Sequence, residues 1–327
     1  MTASTVLVAT WSDGLFVFSG GTRAQVELAN HPVRALAPDG HGGALAIVDG
    51  HSLYRRAPNG VWSTIVTAGF DLACCVAVGD AIYVGTDDAH VLRVSAAGEI
   101  EQLHGFDDVA GRDKWYAGSA IVNGKRVGPP LGIRSITATS DGAVLFANVH
   151  VGGIPRSVDG GLTWQPTIDI DSDVHEVRAH PTRPGAVAAA AAVGLCASSD
   201  GGATWVVESA GLHAPHCYAV AFAGDDVLVS AAESPFAPKG AIYRRAPDGQ
   251  IDEQIDEQMG EHPPLVMVAG GLPAWLNGKA DTHCIAAHGS AVAIADWGGN
   301  LYVSADTGRT WSRQADGMPP PSSVLIV

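Results

Sequence analysis

The stretch Ser157-Val-Asp-Gly-Gly-Leu-Thr-Trp164 decides the fold, because its pattern returns twice further along the chain. The copies are Ser198-Ser-Asp-Gly-Gly-Ala-Thr-Trp205 and Ser304-Ala-Asp-Thr-Gly-Arg-Thr-Trp311, so all three follow Ser-x-Asp-x-Gly-x-Thr-Trp. An Asp at this position can accept backbone N–H bonds across a turn, and Gly supplies a positive φ. The Trp that follows can bury its ring between neighbouring sheets. The pattern predicts a recurring β-hairpin corner.

Short stretches with alternating or β-branched residues separate these corners. Examples are Ala81-Ile-Tyr-Val-Gly85, Ala143-Val-Leu-Phe-Ala147, Asp226-Val-Leu-Val-Ser230 and Asn300-Leu-Tyr-Val-Ser304. Four such strands in each unit of about 40 residues are typical of the blades of a β-propeller. Helical periodicity is absent outside two longer segments.

Counting these units predicts an all-β fold, a single seven-bladed β-propeller domain spanning residues 1–327. Six blades fall at 31–66, 72–104, 131–168, 174–208, 215–251 and 282–316. The C-terminal stretch Ser322–Val327 has the character of an innermost strand, and the N-terminus supplies three strands that lack one. The two ends together predict a seventh, closing blade, which leaves no exposed sheet edge.

Two segments interrupt the repeat, at 105–130 and 252–280. Each lies between an outermost strand and the next innermost strand, so we expect both to cover the face of the disc that carries the axial mouth. Loops of this length in a compact domain are commonly functional. Trp115 in the first and Trp275 in the second are expected to form a lid, with Trp115 in contact with substrate.

Charge and composition exclude several classes of partner. The chain has 327 residues with 19 basic and 34 acidic side chains, a net charge of −15. This balance argues against nucleic acid and against an anionic membrane surface. No apolar run approaches the roughly 18 residues of a membrane span, and the N-terminus lacks the features of a signal peptide. The five cysteines show no CxxC spacing, so we expect reduced thiols and a cytoplasmic location.

The Trp residues serve as a ruler that aligns one position in every blade. His175 follows Trp164 at the same spacing at which His216 follows Trp205, and His283 precedes Trp311 much as Arg34 precedes Trp62. These positions open the innermost strands, which line the axial channel of a propeller. The predicted ring at its mouth consists of Arg34, Cys74 (or Ala73), Arg134, His175, His216, His283 and Ser322.

Histidines converging on one axis predict a metal site. His175, His216 and His283 are the expected ligands, and His150, from the loop between the second and third strands of its blade, is a fourth. Imidazole ligands suit a divalent transition metal such as Zn, Fe, Cu or Ni. Three protein ligands with an open position are typical of a catalytic site.

The remaining polar residues of the mouth predict the substrate. Arg34 and Arg134 can clamp a carboxylate or another anion, and Glu233 or Asp296 can act as general base. Trp297, beside Asp296, is expected to contact substrate. The sequence thus predicts a metal-dependent enzyme for a small anionic molecule, a hydrolase or lyase rather than an oxygenase. Two alternatives stay open: a non-catalytic interaction scaffold, and a glycoside hydrolase with paired carboxylates in the same mouth.

The three Ser-x-Asp boxes resemble those of the BNR/Asp-box propellers. This superfamily includes sialidases, xyloglucanase-type glycoside hydrolases, sortilin-like receptors and the photosystem II assembly factor. The resemblance implies a propeller over the whole chain and fixes no activity. Sialidase-like chemistry needs an arginine triad and a tyrosine nucleophile with a glutamate, and Ile154-Pro155-Arg156 is only a loose echo of the sialidase arginine motif.

Overall fold

Seven sheets arranged in a ring make up this β-propeller. The computed structural model describes residues 4–20, 24–117, 120–122, 125–127, 131–246 and 264–327. In these ranges the regular structure is almost entirely β-strand, with short 3-10 turns at His104–Phe106, Arg112–Lys114 and Ile170–Ser172. None of the helical segments in the described ranges has the length and apolarity to cross a bilayer. The seven-bladed all-β fold predicted from the sequence is confirmed.

The blades follow one another in chain order, each built from successive antiparallel strands. The N-terminal strands are β1 (Thr5–Thr10), β2 (Leu15–Ser19) and β3 (Gln25–Glu27). Blade 1 contains β4 (Val33–Pro38), β5 (Ala44–Val48), β6 (Ser52–Arg56) and β7 (Trp62–Thr67). Blade 2 contains β8 (Leu72–Val78), β9 (Ala81–Thr86), β10 (Val91–Val94) and β11 (Ile100–Gln102). A separate hairpin follows, formed by β12 (Ala120–Val122) and β13 (Lys125–Val127).

The second half of the chain continues the same pattern. Blade 3 contains β14 (Ile133–Ala138), β15 (Leu145–Val149), β16 (Pro155–Ser157) and β17 (Gln165–Pro166). Blade 4 contains β18 (Val174–Ala179), β19 (Val187–Ala191), β20 (Gly194–Ser198) and β21 (Val206–Glu208). Blade 5 contains β22 (Cys217–Ala223), β23 (Asp226–Ala232), β24 (Lys239–Arg245), β25 (Val266–Met267) and β26 (Leu276–Asn277). Blade 6 contains β27 (Ile285–His288), β28 (Ala291–Ala295), β29 (Leu301–Ser304) and β30 (Ser312–Ala315), and the chain ends in β31 (Pro321–Ile326).

The two chain ends close the ring, as the sequence predicts. The innermost strands β4, β8, β14, β18, β22, β27 and β31 pack side by side in that order, and β31 returns to pack on β4. In the closing blade, β31 pairs antiparallel with β1, with Leu7 opposite Leu325. Thr5 and Val327 exchange backbone hydrogen bonds of 2.9 and 3.0 Å at the end of this pairing. Closure therefore protects the edges that an open array would expose.

Blade 5 differs from the boundaries that the sequence predicts. Its outer edge was expected to end at residue 251, but β24 pairs with β25 and, at its other end, with β26. The acidic run 252–258 lies outside the described residues. Strands of two residues carry no alternation that a pattern search can detect, which explains the difference.

The Ser-x-Asp boxes form tight turns between the third and fourth strands of their blades. In the turn at Asp200, the carboxylate accepts hydrogen bonds from the Thr204 N–H (2.9 Å) and the Thr204 hydroxyl (2.6 Å). Ser198 Oγ accepts the Gly202 N–H at 2.9 Å. In the equivalent turn of blade 3, Trp164 is buried in a cluster with residues of the preceding blade. Each turn thus fixes its own backbone and also contributes a ring to an interblade core.

Gly202 is expected to be the most sensitive glycine of this turn. A Cβ added there would overlap the buried ring of Phe146, and φ is +75°, whereas Gly201 has φ +69° with no side-chain atom closer than 3.8 Å. Gly202→Ala should lower the free energy of unfolding by about 2–4 kcal/mol, from backbone strain plus overpacking. Gly201→Ala, the matched control, carries only the backbone cost, about 1 kcal/mol. Denaturant unfolding of both variants measures the difference, and equal losses would contradict the packing argument.

Glu27 gives the fold a pH-dependent contact between the closing blade and blade 1. It accepts hydrogen bonds from Arg56 Nε (2.8 Å) and Nη2 (2.7 Å) and from Trp62 Nε1 (2.7 Å). Burial raises the pKa of Glu27, but the bonds from Arg56 and Trp62 outweigh it and the pKa is lowered overall. A lowered folded-state pKa stabilises the protein above the ordinary pKa of Glu, and this contribution is lost as the pH falls.

We therefore expect Glu27→Gln to destabilise the protein by about 1–2 kcal/mol at neutral pH. The difference from the parent protein should shrink as the pH is lowered from about 5 to about 3, because the parent carboxylate becomes protonated. Thermal unfolding at a series of pH values measures it, with the exposed Glu99→Gln as control. A difference that stays constant with pH would show that the charge of Glu27 contributes nothing.

Candidate functional site

A β-bulge opens six of the seven innermost strands. At five of these bulges the register against the second strand skips one residue, which leaves that residue outside the ladder. In blade 5 the ladder passes from the pair Cys217–Ala231 to the pair Val220–Val229, and Tyr218 directly follows the first pair, as the bulged residue does elsewhere. A bulge re-aims the side chain of its extra residue and is common beside active sites. The bulged residues are Arg34, Ala73, Arg134, His175, Tyr218 and Ser322. Blade 6 has no such bulge, and His283, two residues before the first paired residue Ile285, has a φ of +66°.

The predicted alignment of His216 with His175 is wrong by two residues. Cys217 pairs with Ala231 just before the bulge, so Tyr218 takes in blade 5 the place that His175 takes in blade 4. The connection from Trp205 to β22 is longer than the connection from Trp164 to β18. Counting residues from each Trp assumes equal connections and therefore cannot detect this difference. His216 nevertheless lies beside both rings, stacked on His175 at 4.9 Å and on Tyr218 at 4.8 Å between ring centroids.

Four of the bulged residues, Arg34, Ala73, Arg134 and Ser322, line a cavity of about 190 Å³ at one mouth of the axial channel. Its lining combines two arginines, two carboxylates and two imidazoles with a few apolar groups. These residues are Trp11, Arg34, Ala73, Asp87, Gly132, Ile133, Arg134, His150, Asp281, Thr282, His283, Pro321 and Ser322. Several charged and polar groups from different blades converge in a concave site, which is typical of a small-molecule pocket.

Beside this cavity, His150, Asp173 and His175 form a group that could hold a metal ion, with ligand atoms all within 4.8 Å of one another. Asp173 Oδ1 lies 3.5 Å from His150 Nε2 and 3.7 Å from His175 Nε2. His150 is 7% exposed and His175 is 3% exposed. Two imidazoles and one carboxylate are a ligand set of divalent transition metals that leaves further coordination positions open.

The hydrogen bonds of the two imidazoles leave both Nε2 atoms unprotonated. His175 Nδ1 donates to the Cys217 carbonyl at 2.6 Å, which assigns the lone pair to Nε2. His150 Nε2 accepts a hydrogen bond from Arg134 Nη1 at 3.0 Å, so its proton resides on Nδ1. Burial, reinforced by the charge of Arg134, lowers the pKa of His150 to about 3 and that of His175 well below its ordinary value. Neutral imidazoles of this kind are the form that binds a metal.

Asp173 is the member of the group that sequence reasoning missed. Its backbone has φ +48°, directly after the turn Ile170–Ser172, and its Oδ1 is buried without a hydrogen-bond partner. Burial raises its pKa, with Arg134 opposing. A buried carboxylate oxygen that lacks a donor fits a cation. The signal in the sequence was the tripeptide Asp-Val-His, in which the acid stands two residues before the predicted ligand His175.

Three further groups extend the cluster toward blade 5. The Tyr218 hydroxyl and His216 Nε2 are buried without hydrogen-bond partners. Lys279 is only 4% exposed, and its Nζ lies 3.8 Å from the centroid of the Tyr218 ring and 3.0 Å from Asp281 Oδ2. Burial lowers the pKa of Lys279, with Asp281 opposing. These residues were not among the predicted site residues, apart from His216.

His283 lies in a different network from His150 and His175. Its Nδ1 lies 3.1 Å from Glu176 Oε1 and 2.9 Å from Arg178 Nη2, and its Nε2 donates to the Arg134 carbonyl at 2.9 Å. Glu176 is fully buried and also accepts the Val220 N–H at 3.0 Å. Both ring nitrogens of His283 are thus used in contacts between blades.

The two predicted arginines line the cavity but are held differently. Arg34 donates to both oxygens of Asp87, at 2.6 and 2.5 Å. Arg134 donates to His150 and to the Thr282 hydroxyl (2.9 Å), and its distance to Asp281 is 3.9 Å. Two carboxylates, Asp87 and Asp281, therefore lie in the mouth, each beside a basic residue.

The other predicted residues lie away from this cavity. Trp115 is 7% exposed and packs on Phe106 with ring centroids 5.6 Å apart, inside a core cluster. Trp297 is 47% exposed and lines a separate cavity with Lys279 and Phe236.

The two predicted general bases also lie outside the cavity lining. Asp296 is fully buried, and it accepts hydrogen bonds from the Asn300 amide and from the Asn277 N–H, so it fixes the adjoining loops. Glu233 is exposed. Burial lowers the pKa of His213, and the negative charge of Glu233 opposes this shift.

Comparisons with known proteins support the fold. No protein-family model matches the chain, and no curated protein matches it either. A structure described as a putative 6-phosphogluconolactonase from Bacteroides uniformis is 15% identical, covers 100% of both chains and has a TM-score of 0.64. The computationally designed Ika8 protein is 12% identical over 98% of this chain and 89% of its own, with a TM-score of 0.57. YCF48 bound to a D1 peptide is 12% identical over 96% and 81% of the two chains, with a TM-score of 0.48. At these identities the likeness shows the fold alone.

Loss of the Glu176 charge should destabilise the ring beside the site. The carboxylate is 0% exposed and lies 2.7 Å from Arg178, so Glu176→Gln leaves a partly buried guanidinium without its counter-charge. We expect a loss of about 2–4 kcal/mol in the free energy of unfolding. The control Glu101→Gln breaks the exposed pair with Arg93 and should cost at most about 1 kcal/mol. Chemical denaturation compares the two, and equal costs would mean that Glu176 contributes no more than a surface charge.

Proposed function

We propose that this propeller is a metal-dependent enzyme that acts on a small anionic molecule at the axial mouth, by hydrolysis or elimination. One observation carries the proposal: two neutral imidazoles and an unpartnered carboxylate oxygen face one another directly beside an arginine-lined cavity. Structural metal sites are commonly closed by four protein ligands, whereas a three-ligand set leaves room for substrate or water.

The metal in this proposal is a divalent transition ion, Zn, Fe, Cu or Ni, held by His150, Asp173 and His175. The donor set fits such an ion, because imidazole and carboxylate together suit these metals and the carboxylate supplies a negative charge. The hydrogen bond from His175 Nδ1 to the Cys217 carbonyl orients the ring and raises its basicity as a ligand. A bound ion would act as a Lewis acid on substrate and would make water a better nucleophile.

The residues of the cavity would bind and orient the substrate. Arg34 and Arg134 present guanidinium groups, which match the geometry of a carboxylate or phosphate. A cavity of about 190 Å³ accepts only a small molecule. Trp11, which is 52% exposed at the rim, would cover its uncharged part.

The substrate class follows from this chemistry rather than from the comparisons. An anionic group held by arginine beside an acyl, phosphoryl or lactone centre would suit hydrolysis at a metal. The name of the lactonase-like structure is the reason to include phosphorylated lactones among the compounds to test. At 15% identity it does not assign that substrate to this protein. The net charge of −15 supports a protein without nucleic-acid or anionic-membrane partners. The five cysteines, all free and buried, support the proposal of a cytoplasmic location.

Metal content is the decisive measurement for this proposal. Elemental analysis of untagged protein purified from metal-replete medium should give about one ion per chain, falling below ~0.2 in Asp173→Asn and in His175→Gln because a ligand is lost. The matched control is Asp171→Asn, an exposed carboxylate on the preceding turn, which should keep the ion. The parent protein should then hydrolyse members of a panel of small anionic esters, lactones and phosphoesters, and Asp173→Asn should not.

Two results would contradict the proposal. A parent protein with less than ~0.2 ion per chain would exclude the metalloenzyme. Equal metal content in Asp173→Asn, His175→Gln and the control would show that the ion binds elsewhere.

A further inference from the structure

We infer that Arg134 couples the binding of a metal ion to the binding of an anion at the mouth. Its guanidinium blocks the metal position until it moves into the cavity to pair with an anion. The inference rests on the metal position of the proposed function. It adds that metal and anion bind cooperatively, and it assigns that coupling to one side chain.

Arg134 and a metal ion compete for one atom. His150 Nε2 lies 3.5 Å from Asp173 Oδ1, and the same Nε2 accepts the hydrogen bond from Arg134 Nη1 at 3.0 Å. An unprotonated imidazole nitrogen has a single lone pair, which lies in the plane of the ring. It cannot serve a guanidinium N–H and a metal ion at once. Arg134 must therefore leave Nε2 before a metal binds there.

Arg134 is also held more weakly than the other arginine of the mouth, Arg34. Arg34 has a bidentate contact with Asp87 at 2.6 and 2.5 Å. Arg134 instead contacts the neutral groups of His150 and Thr282, and Asp281 lies 3.9 Å away and is also held by Lys279 at 3.0 Å. The side chain of Arg134 is 24% exposed and lines the cavity. An anion there would offer the close counter-charge that Arg134 lacks.

The consequence is a linkage between two binding equilibria. An anion that pairs with Arg134 removes a competing donor and neutralises a positive charge beside the metal position, so metal affinity rises. By reciprocity a bound metal displaces Arg134 toward the cavity and raises the affinity for the anion by the same factor. Arg134 is in this sense a positioning residue for the site. Arg34 pairs with Asp87 and does not compete for His150 Nε2, so its loss should leave the metal affinity in chloride unchanged.

The test measures Co²⁺ affinity by calorimetry and by the visible absorption of the bound ion, with no assay of activity. The parent protein, Arg134→Met and the control Arg34→Met are each titrated in sulfate and in chloride at matched ionic strength. Arg134→Met should bind Co²⁺ at least about fivefold more tightly than the parent in chloride, within the usual range of coupling between sites. Sulfate should tighten Co²⁺ binding to the parent and should not change binding to Arg134→Met, and Arg34→Met should match the parent in chloride.

Each outcome decides between the two proposals. Unchanged or weaker Co²⁺ binding by Arg134→Met, or a sulfate effect that survives in that variant, would overturn the coupling while the metal site stands. Absence of Co²⁺ binding in both the parent and Arg134→Met would overturn the metal site, and the coupling with it. Arg134→Gln, which keeps a polar side chain, repeats the test if circular dichroism shows that Arg134→Met is misfolded.

Discussion

The bulge at the start of six of the seven innermost strands is the constraint on which both the ring and the site depend. It turns one side chain out of the ladder, and in three blades the next side chain accepts a backbone N–H of the neighbouring blade. Ser135 Oγ accepts the Val177 N–H at 2.9 Å, one oxygen of Glu176 accepts the Val220 N–H at 3.0 Å, and Ser323 Oγ accepts the Leu36 N–H at 3.2 Å. Successive residues of one strand therefore line the mouth and join the blades.

Because of this arrangement, the bulged residues can differ between blades without a loss of stability. A bulged residue makes no ladder hydrogen bonds, so the six bulged blades can present arginine, histidine, tyrosine, serine or alanine at this position without altering the sheets. Where the residue that follows is Ser135, Glu176 or Ser323, it is constrained, because its loss would leave a backbone N–H of the next blade unpaired in a buried position. The charge of Glu176 and the neutrality of Ser135 show that acceptors of either type can make this contact.

How far the sequence predicts the molecule depends on the range of each interaction. The box at Ser157–Trp164 encloses its own hydrogen bonds, so it identifies a corner, and its repetition identifies a propeller whose ends must pair. The mouth is harder to predict, because a slightly longer connection before β22 moved Tyr218 into the place assigned to His216. Asp173 was missed because its role depends on a left-handed backbone and on His150 from another blade, and neither leaves a periodic signal.

Two similar tripeptides show how the backbone conformation determines the direction of the side chains at such a site. Asp173-Val-His175 and Asp281-Thr-His283 both precede or open an innermost strand, yet the left-handed residue is the acid in the first (φ +48°) and the imidazole in the second (φ +66°). In the first, Asp173 faces the two Nε2 atoms and His175 stacks on its neighbours. In the second, His283 turns to Glu176, and the acid pairs with Lys279. The same residue types thus build a candidate metal site in one blade and an interblade contact in another, because the position of one left-handed residue determines which way each side chain points.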